Sequence, residues 1–265
     1  MAQTHEDLLL LDRVHEGADI ATHSKILLEG LQVSGRPFFP IYRQCLEATR
    51  TPVKSWKVFR RAQRAYTFAR YVDHLALRGA PMVECGVFNG FSALLACRVL
   101  GAVRPGYRGE DLYLVDSFEG LSAPREEDLV EVADGGGRPT RIASHPQGYF
   151  AVGLPLVRSR FADYPEVGFI KGWIPQALQD LPERKWGLVH IDVDLYEPTL
   201  ACLEYFHGRM APGGVILNDD FSSPLFPGAN RAWMQFFERH PAPFIVLDSG
   251  QSVYMAPGAP PAPAG

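Results

Sequence analysis

The amino-acid sequence predicts an α/β fold: a mostly parallel, seven-stranded sheet with an antiparallel C-terminal hairpin and a helical addition at the N-terminus. Two observations carry this. From residue 81 onward, short apolar runs alternate with helix-length segments, a rhythm that builds a parallel sheet with helices on both faces. Near the chain's end, Pro243-Phe-Ile-Val-Leu and Ser252-Val-Tyr-Met-Ala are joined by Asp248-Ser-Gly-Gln, whose turn residues suit a hairpin.

Residues 1–50 read as short helical pieces broken at Gly35 and at Pro37 to Pro40. They form an N-terminal addition expected to cover the main domain or to dimerise it, so a homo-oligomer is expected. Over residues 54–78 the apolar Trp56, Val58, Phe59, Ala62, Tyr66, Phe68, Ala69 and Val72 recur at helical spacing. Pro81-Met-Val-Glu-Cys is the first strand, followed by a loop from Gly86 to Gly90 and an apolar helix through Leu100. Asp111 to Asp116 is the second strand, and Gly168 to Lys171 the third, with a helix around Ile174 to Leu181. Trp186 to Asp192 precedes a helix from Pro198 to His207, and Gly213 to Asp219 precedes one from Asn230 to Glu238. The main domain is therefore 51–256. The segment 119–161, polar and Gly-rich at Gly135-Gly-Gly, breaks the rhythm and reads either as a lid or as a floppy surface insertion. The Pro- and Ala-rich tail, 257–265, is expected to be disordered.

Composition narrows the function. Apolar residues at 46% and charged residues at 21% are ordinary for a soluble enzyme. A formal net charge of −4 leaves no basic footprint for nucleic acid. There is no apolar run of about 18 residues to span a membrane, and the acid-bearing start is unlike a signal peptide. Cys45, Cys85, Cys97 and Cys202 are scattered without a CxxC, as in reduced, buried thiols of a cytoplasmic protein.

The loop Glu84-Cys-Gly-Val-Phe-Asn-Gly-Phe-Ser92 lies where ligands bind in parallel sheets, at the carboxyl edge of the first strand. Its glycines, Gly86 and Gly90, flank Val87 in a GxxxG spacing behind an acid. A pyrophosphate disfavours a neighbouring carboxylate, whereas a sulfonium cofactor with an α-amino group suits Glu84. Asp116-Ser117 closes the second strand, where an acid can accept ribose hydroxyls. Taken alone, Asp116 reads as an ordinary strand-end residue; together with the loop it argues for an adenosine ligand.

His190-Ile-Asp-Val-Asp-Leu-Tyr196 and Asn218-Asp-Asp-Phe221 end the fourth and fifth strands. Asp192 and Asp194, two apart, share a side in an extended strand; Asp219 and Asp220 converge only if the backbone turns there. Such crowded carboxylates repel one another unless a hard divalent cation joins them, and an all-oxygen set favours Mg2+ over zinc. The plainer reading makes Asp194 a helix cap and Asp220 a turn residue. His190 reads as a satisfied histidine that orients the neighbouring acids.

Val83-Glu-Cys-Gly-Val-Phe-Asn-Gly, Val115-Asp-Ser-Phe-Glu-Gly-Leu, His190-Ile-Asp-Val-Asp-Leu-Tyr and Asp219-Asp220 resemble, in order, motifs of the macrocin and novobiocin sugar O-methyltransferase family. The resemblance covers about residues 50–256. It implies a Rossmann-like class I methyltransferase fold, S-adenosylmethionine, Mg2+, and methylation of a deoxysugar hydroxyl on a natural product or nucleotide-sugar precursor. By motif match it makes Asp192, Asp219 and Asp220 the metal ligands and Asp194 the general base. Glu84, Gly86, Val87, Gly90, Ser92, Asp116 and Ser117 fall where the family contacts its cofactor, with Asp192 bordering it. Asn89-Gly90 stands where the family often has two glycines. Phenol-directed relatives tend to carry a lysine at the position of Asp194, which favours a sugar acceptor; a catechol is the nearest alternative. A nicotinamide-dependent dehydrogenase would leave the acids without a role, and a non-catalytic nucleoside-binding protein would use them as caps.

Overall fold

The computed structural model describes residues 31–51, 58–76, 79–133 and 139–258. Most of the expected N-terminal addition, Trp56, the Gly135 to Gly137 stretch and the tail beyond 258 lie outside them. Among the described residues, the first elements are β1 (Gln32–Val33), β2 (Arg36–Pro37), α1 (Phe38–Thr49) and α2 (Val58–Ala76). The chain therefore departs here from the expected broken helical pieces. Ser34 and Gly35, both with positive φ, close a two-residue hairpin, and one helix then begins directly at Phe38. Pro40 sits in its first turn, where a missing N–H costs nothing because those amides have no intrahelical partner.

The sheet begins with β3 (Met82–Cys85), α3 (Phe91–Val103) and β4 (Leu112–Asp116). Then come β5 (Leu129–Ala133), β6 (Pro139–Ala143), α4 (Leu154–Ser159), β7 (Gly168–Lys171) and β8 (Trp186–Ile191). The chain ends with α5 (Tyr196–Phe206), β9 (Met210–Asn218), α6 (Pro227–Arg239), β10 (Phe244–Val246) and β11 (Ser252–Met255). The expected helix near Ile174 to Leu181 is a 3-10 segment, Gln176–Asp180.

The seven-stranded sheet has the order β10-β11-β9-β8-β3-β4-β7. β7, β4, β3, β8 and β9 are parallel neighbours, and β11 runs antiparallel to both β9 and β10. The terminal hairpin is thus present, but its second strand lies inside it; the edge strand β10 runs in the direction of the parallel set. The order reverses between β3 and β8, and the carboxyl ends of strands at such a reversal form a ligand crevice.

Side-chain alternation divides the core in two. Met82, Leu112, Leu114, Leu188 and Leu217 pack with α1, α2 and α3 on one face. Val83, Cys85, Val115, Val189, Ile191 and Ile216 pack with α5 and α6 on the other. Each such fully buried side chain contributes about 1.5–3 kcal/mol relative to exposure. Glu84 and His190 belong by alternation to the first face and are register partners across β3 and β8. They form a polar pair inside an apolar layer, with Phe68 of α2 against the imidazole at 4.5 Å between ring centroids. All four cysteines are buried and free, as expected.

The 119–161 segment has its own order. β5 and β6 form an antiparallel ribbon, and Asp128 before it is buried. Its carboxylate accepts the N–H of Arg125 at 2.8 Å and of Tyr196 at 2.7 Å, the latter the first residue of α5. An insertion residue thus caps a helix of the main domain. None of α1 to α6 nor any other described helix is long and apolar enough to cross a membrane.

Candidate active site

A cavity of about 700 Å3 opens above the sheet reversal. The loop after β3 forms one wall. Gly86 has a φ of +86°, and a Cβ there would lie 1.9 Å from the carbonyl oxygen of Asp192. Only glycine lets the β3 and β8 loops approach this closely. Asp116, at the tip of β4, holds the loop in place. Its Oδ2 accepts the N–H groups of Val87 at 2.6 Å and Phe88 at 3.1 Å, and Oδ1 accepts that of Phe118 at 2.6 Å. Much of its acceptor capacity is therefore spent on the loop, which sequence reasoning had reserved for ribose. Ser117 donates to the Gly120 carbonyl at 2.9 Å and accepts the Glu119 N–H at 3.0 Å, shaping the next turn. Val87, Ser92, Asp116 and Ser117 line the cavity, and Gly90 begins α3. Asn89 needs no left-handed backbone. Its amide donates to Thr51 Oγ1 at 2.7 Å and its Oδ1 accepts the Phe91 N–H at 3.2 Å, so it ties the loop to the end of α1.

Glu84 departs from expectation. It does not line the cavity but lies beneath it, 2% exposed. Its Oε1 accepts Ser92 Oγ and, at 3.0 Å, His190 Nδ1. Alternation in β3 turns its side chain away from the cavity, towards Ser92 and His190.

The acids meet, though not as strand geometry predicts. β8 ends at Ile191, and Asp192 and Asp194 lie beyond it. Asp194 has a φ of +63°, and the Leu195 N–H reaches the Val193 carbonyl at 2.6 Å. A tight three-residue turn, not extended alternation, brings the two carboxylates together; such turns are strained and cluster at functional sites. Oxygens of Asp192, Asp194 and Asp220 lie within 4.8 Å of one another. Asp219 points elsewhere. Its Oδ2 accepts Arg64 Nη1 at 2.8 Å, its Oδ1 accepts Gln251 Nε2 at 2.6 Å, and its backbone carbonyl accepts Arg64 Nη2 at 2.5 Å. The bend after β9 thus separates Asp219 and Asp220, and the structure groups Asp194 with Asp192 and Asp220 where the motif match groups Asp219.

The charges follow this division. Burial, then Asp219 and Asp220, push Asp192 well above the usual carboxylate range; burial, then Asp220 and Asp192, do the same to Asp194. Burial and Asp219 raise Asp220 to about 6. Burial would raise Asp219 too, but Arg64 and His190 outweigh it and hold Asp219 well below that range. Burial pulls His190 down, yet its contacts with Asp219 and Glu84 prevail and carry it to about 10. His190 thus stands between two acids, its Nε2 3.6 Å from Asp219 Oδ1.

Sequence reasoning missed Arg64, Gln251 and the aromatic walls Phe88, Phe150, Trp173 and Phe226. Phe150, from the insertion, meets Phe88 edge-on at 5.1 Å. Arg64 left one signal: a charge one helical turn before the buried Phe68, on the apolar side of α2. Gln251 left none.

A sheet with this strand order, carrying its cavity over the reversal point, has the class I methyltransferase fold. Solved structures share it. A calicheamicin methyltransferase superposes with a TM-score of 0.60 at 18% identity, covering 82% of this chain and 91% of that one. The O-methyltransferase NovP also gives 0.60, at 20% identity, covering 90% and 100%. The model of the macrocin O-methyltransferase family matches residues 59–254, and the chain belongs to that family. It is similar to the 8-demethyl-8-(2,3-dimethoxy-alpha-L-rhamnosyl)-tetracenomycin-C 4'-O-methyltransferase of Streptomyces olivaceus, 32% identical over 157 residues, 57% of each chain. It is also similar to the demethyldecarbamoylnovobiocin O-methyltransferase of Streptomyces niveus, 29% identical over 145 residues, 53% of this chain and 52% of that one. The matches span a little over half the length of these two curated relatives.

Proposed function

We propose that this chain transfers a methyl group from S-adenosylmethionine to a sugar hydroxyl on a natural product or nucleotide-sugar precursor, with a divalent cation such as Mg2+ at its acid cluster. The observation that carries this reading is the meeting of Asp192, Asp194 and Asp220 in the wall of the cavity that the Gly86 to Gly90 loop also lines. The rhamnosyl-bearing substrate in the name of the Streptomyces olivaceus relative supports the acceptor class, and the family supports O-methylation.

The residues fit a hard cation. The donors are all carboxylate oxygens, and Asp220 Oδ2 is buried with no hydrogen-bond partner among the described residues. Asp192 and Asp220 are common to the geometric set and the family pattern; the third carboxylate is Asp194 in the first and Asp219 in the second. Bound there, a divalent ion supplies positive charge that lowers the pKa of a nearby alcohol. The acceptor oxygen must lose its proton as it gains the methyl group, and Asp194, in the cavity wall, is the base in this reading. That carboxyl is a usable base only when positive charge offsets its acidic neighbours. Phe88, Phe150, Trp173 and Phe226 wall the cavity, limit water and hold the two substrates in contact, which itself contributes to rate.

The test is a screen with methyl-labelled cofactor against nucleotide sugars, glycosylated natural products and catechols, all with Mg2+. The expected result is label on a sugar oxygen. Label confined to catechols, or none on any acceptor, contradicts the proposal.

A further inference from the structure

We propose that Arg64 is a resident counter-cation of the acid cluster, which clamps Asp219 and weakens the cluster's hold on a divalent ion. The inference rests on the cation reading above. Arg64 comes from α2, outside the loops that carry the acids. Its Nη1 meets Asp219 Oδ2 at 2.8 Å and stands 4.0 Å from Asp220 Oδ1. Its Nη2 takes the Asp219 carbonyl at 2.5 Å, and its Nε lies 3.4 Å from the Ser249 carbonyl. The side chain is only 21% exposed, so solvent screens it less than a surface arginine. This planar fork satisfies side chain and backbone of one residue together, which a lysine cannot reproduce.

The charges explain why the fold keeps it. Asp192, Asp194, Asp219 and Asp220 line one cavity with Glu84 beneath it, and His190 faces Glu84 and Asp219. Arg64 makes the ion pairs on the Asp219-Asp220 side, with Arg60 farther out in the cavity wall feeling the same two carboxylates. A divalent ion held by Asp192 and Asp220, the two carboxylates common to both sets, must approach a fixed positive charge already beside Asp220. Arg64 therefore sets two things: where the Asp219 carboxylate points, and how strongly the remaining acids attract an ion.

A purely structural arginine and a counter-cation predict opposite signs. Removing a structural clamp loosens the cluster and weakens ion binding; removing a competing charge tightens it. Mn2+ binding to the full chain, measured by calorimetry and by the Mn2+ spin-resonance signal, separates them, with S-adenosylhomocysteine binding as the check on folding. Arg64→Gln is expected to bind Mn2+ on the order of tenfold tighter than the native chain, since unlike charges a few ångströms away act through a reduced dielectric. Arg64→Lys, which keeps the charge, is expected to stay near native affinity. Mn2+ binding by Arg64→Gln alone also supports the role. Native binding with equal or weaker binding by Arg64→Gln overturns it and leaves the cation reading standing. Absence of Mn2+ binding to both, with S-adenosylhomocysteine still bound, overturns both.

Discussion

In the proposed chemistry Asp194 and Asp219 have separate roles, and each owes its position to a backbone event at a strand tip. The left-handed turn at Asp194 aims one carboxylate into the cavity; the bend after Asn218 hands the other to Arg64, Gln251 and His190. Their asparagine variants should therefore fail differently. Asp194→Asn keeps the side chain's size but cannot accept the proton, so kcat should fall by about 10²–10⁴ with cofactor affinity unchanged. Asp219→Asn leaves Arg64 without its nearest anionic partner and His190 with Glu84 alone. Its principal loss should be in stability and in Mn2+ affinity, because Arg64 then turns on Asp220. Calorimetry with S-adenosylhomocysteine and Mn2+, alongside single-turnover rates, distinguishes the two. Equal rate losses with equal binding losses would contradict the division. The presence of the acids was legible in the sequence because carboxylates gathered at two strand ends demand compensation. Which of them converge was not, since alternation holds only within β8 and β9 and the decisive torsions lie one to three residues beyond.

At the scale of elements, the insertion is fastened to the domain through Asp128. Gly228, at the start of α6, makes room: a Cβ there would stand 1.9 Å from Asp128 Oδ1. Asp128→Ala removes the acceptor for the first N–H of α5 and for Arg125 N–H, neither of which has another partner among the described residues. A loss of about 2 kcal/mol is expected, read as a lower denaturant midpoint with an unchanged slope. An unchanged midpoint would show that the cap carries nothing. The strands and most helices were legible, because burial on one or both faces imposes a period on the sequence. The ribbon of β5 and β6 was not. Its exposed positions, Val132 and Ile142 among them, leave no inside-outside pattern to read, and the capping contact joins residues 68 apart in sequence. The Glu84 to His190 pairing was equally hidden, although both residues were singled out, because it depends on β3 lying next to β8. That adjacency is a property of the crossover, not of either strand.

For the whole molecule, the strand reversal between β3 and β8 brings the loop of one half and the acids of the other to a single cavity. α2 crosses above and contributes Arg64 to the acids and Phe68 to His190. Loop, acids and arginine form one connected polar layer: Ser92, Glu84, His190, Asp219 and Arg64 follow one another through the contacts described. In the proposed reaction a cofactor on the loop and an ion among the acids would touch the same network from opposite ends. The most direct measurement is methyl transfer to a sugar acceptor after exhaustive chelation, with and without Mg2+ restored. Transfer should be lost with EDTA and recovered on Mg2+ addition, while S-adenosylhomocysteine binds in both states. Undiminished transfer in the chelated enzyme would contradict a cation at Asp192 and Asp220.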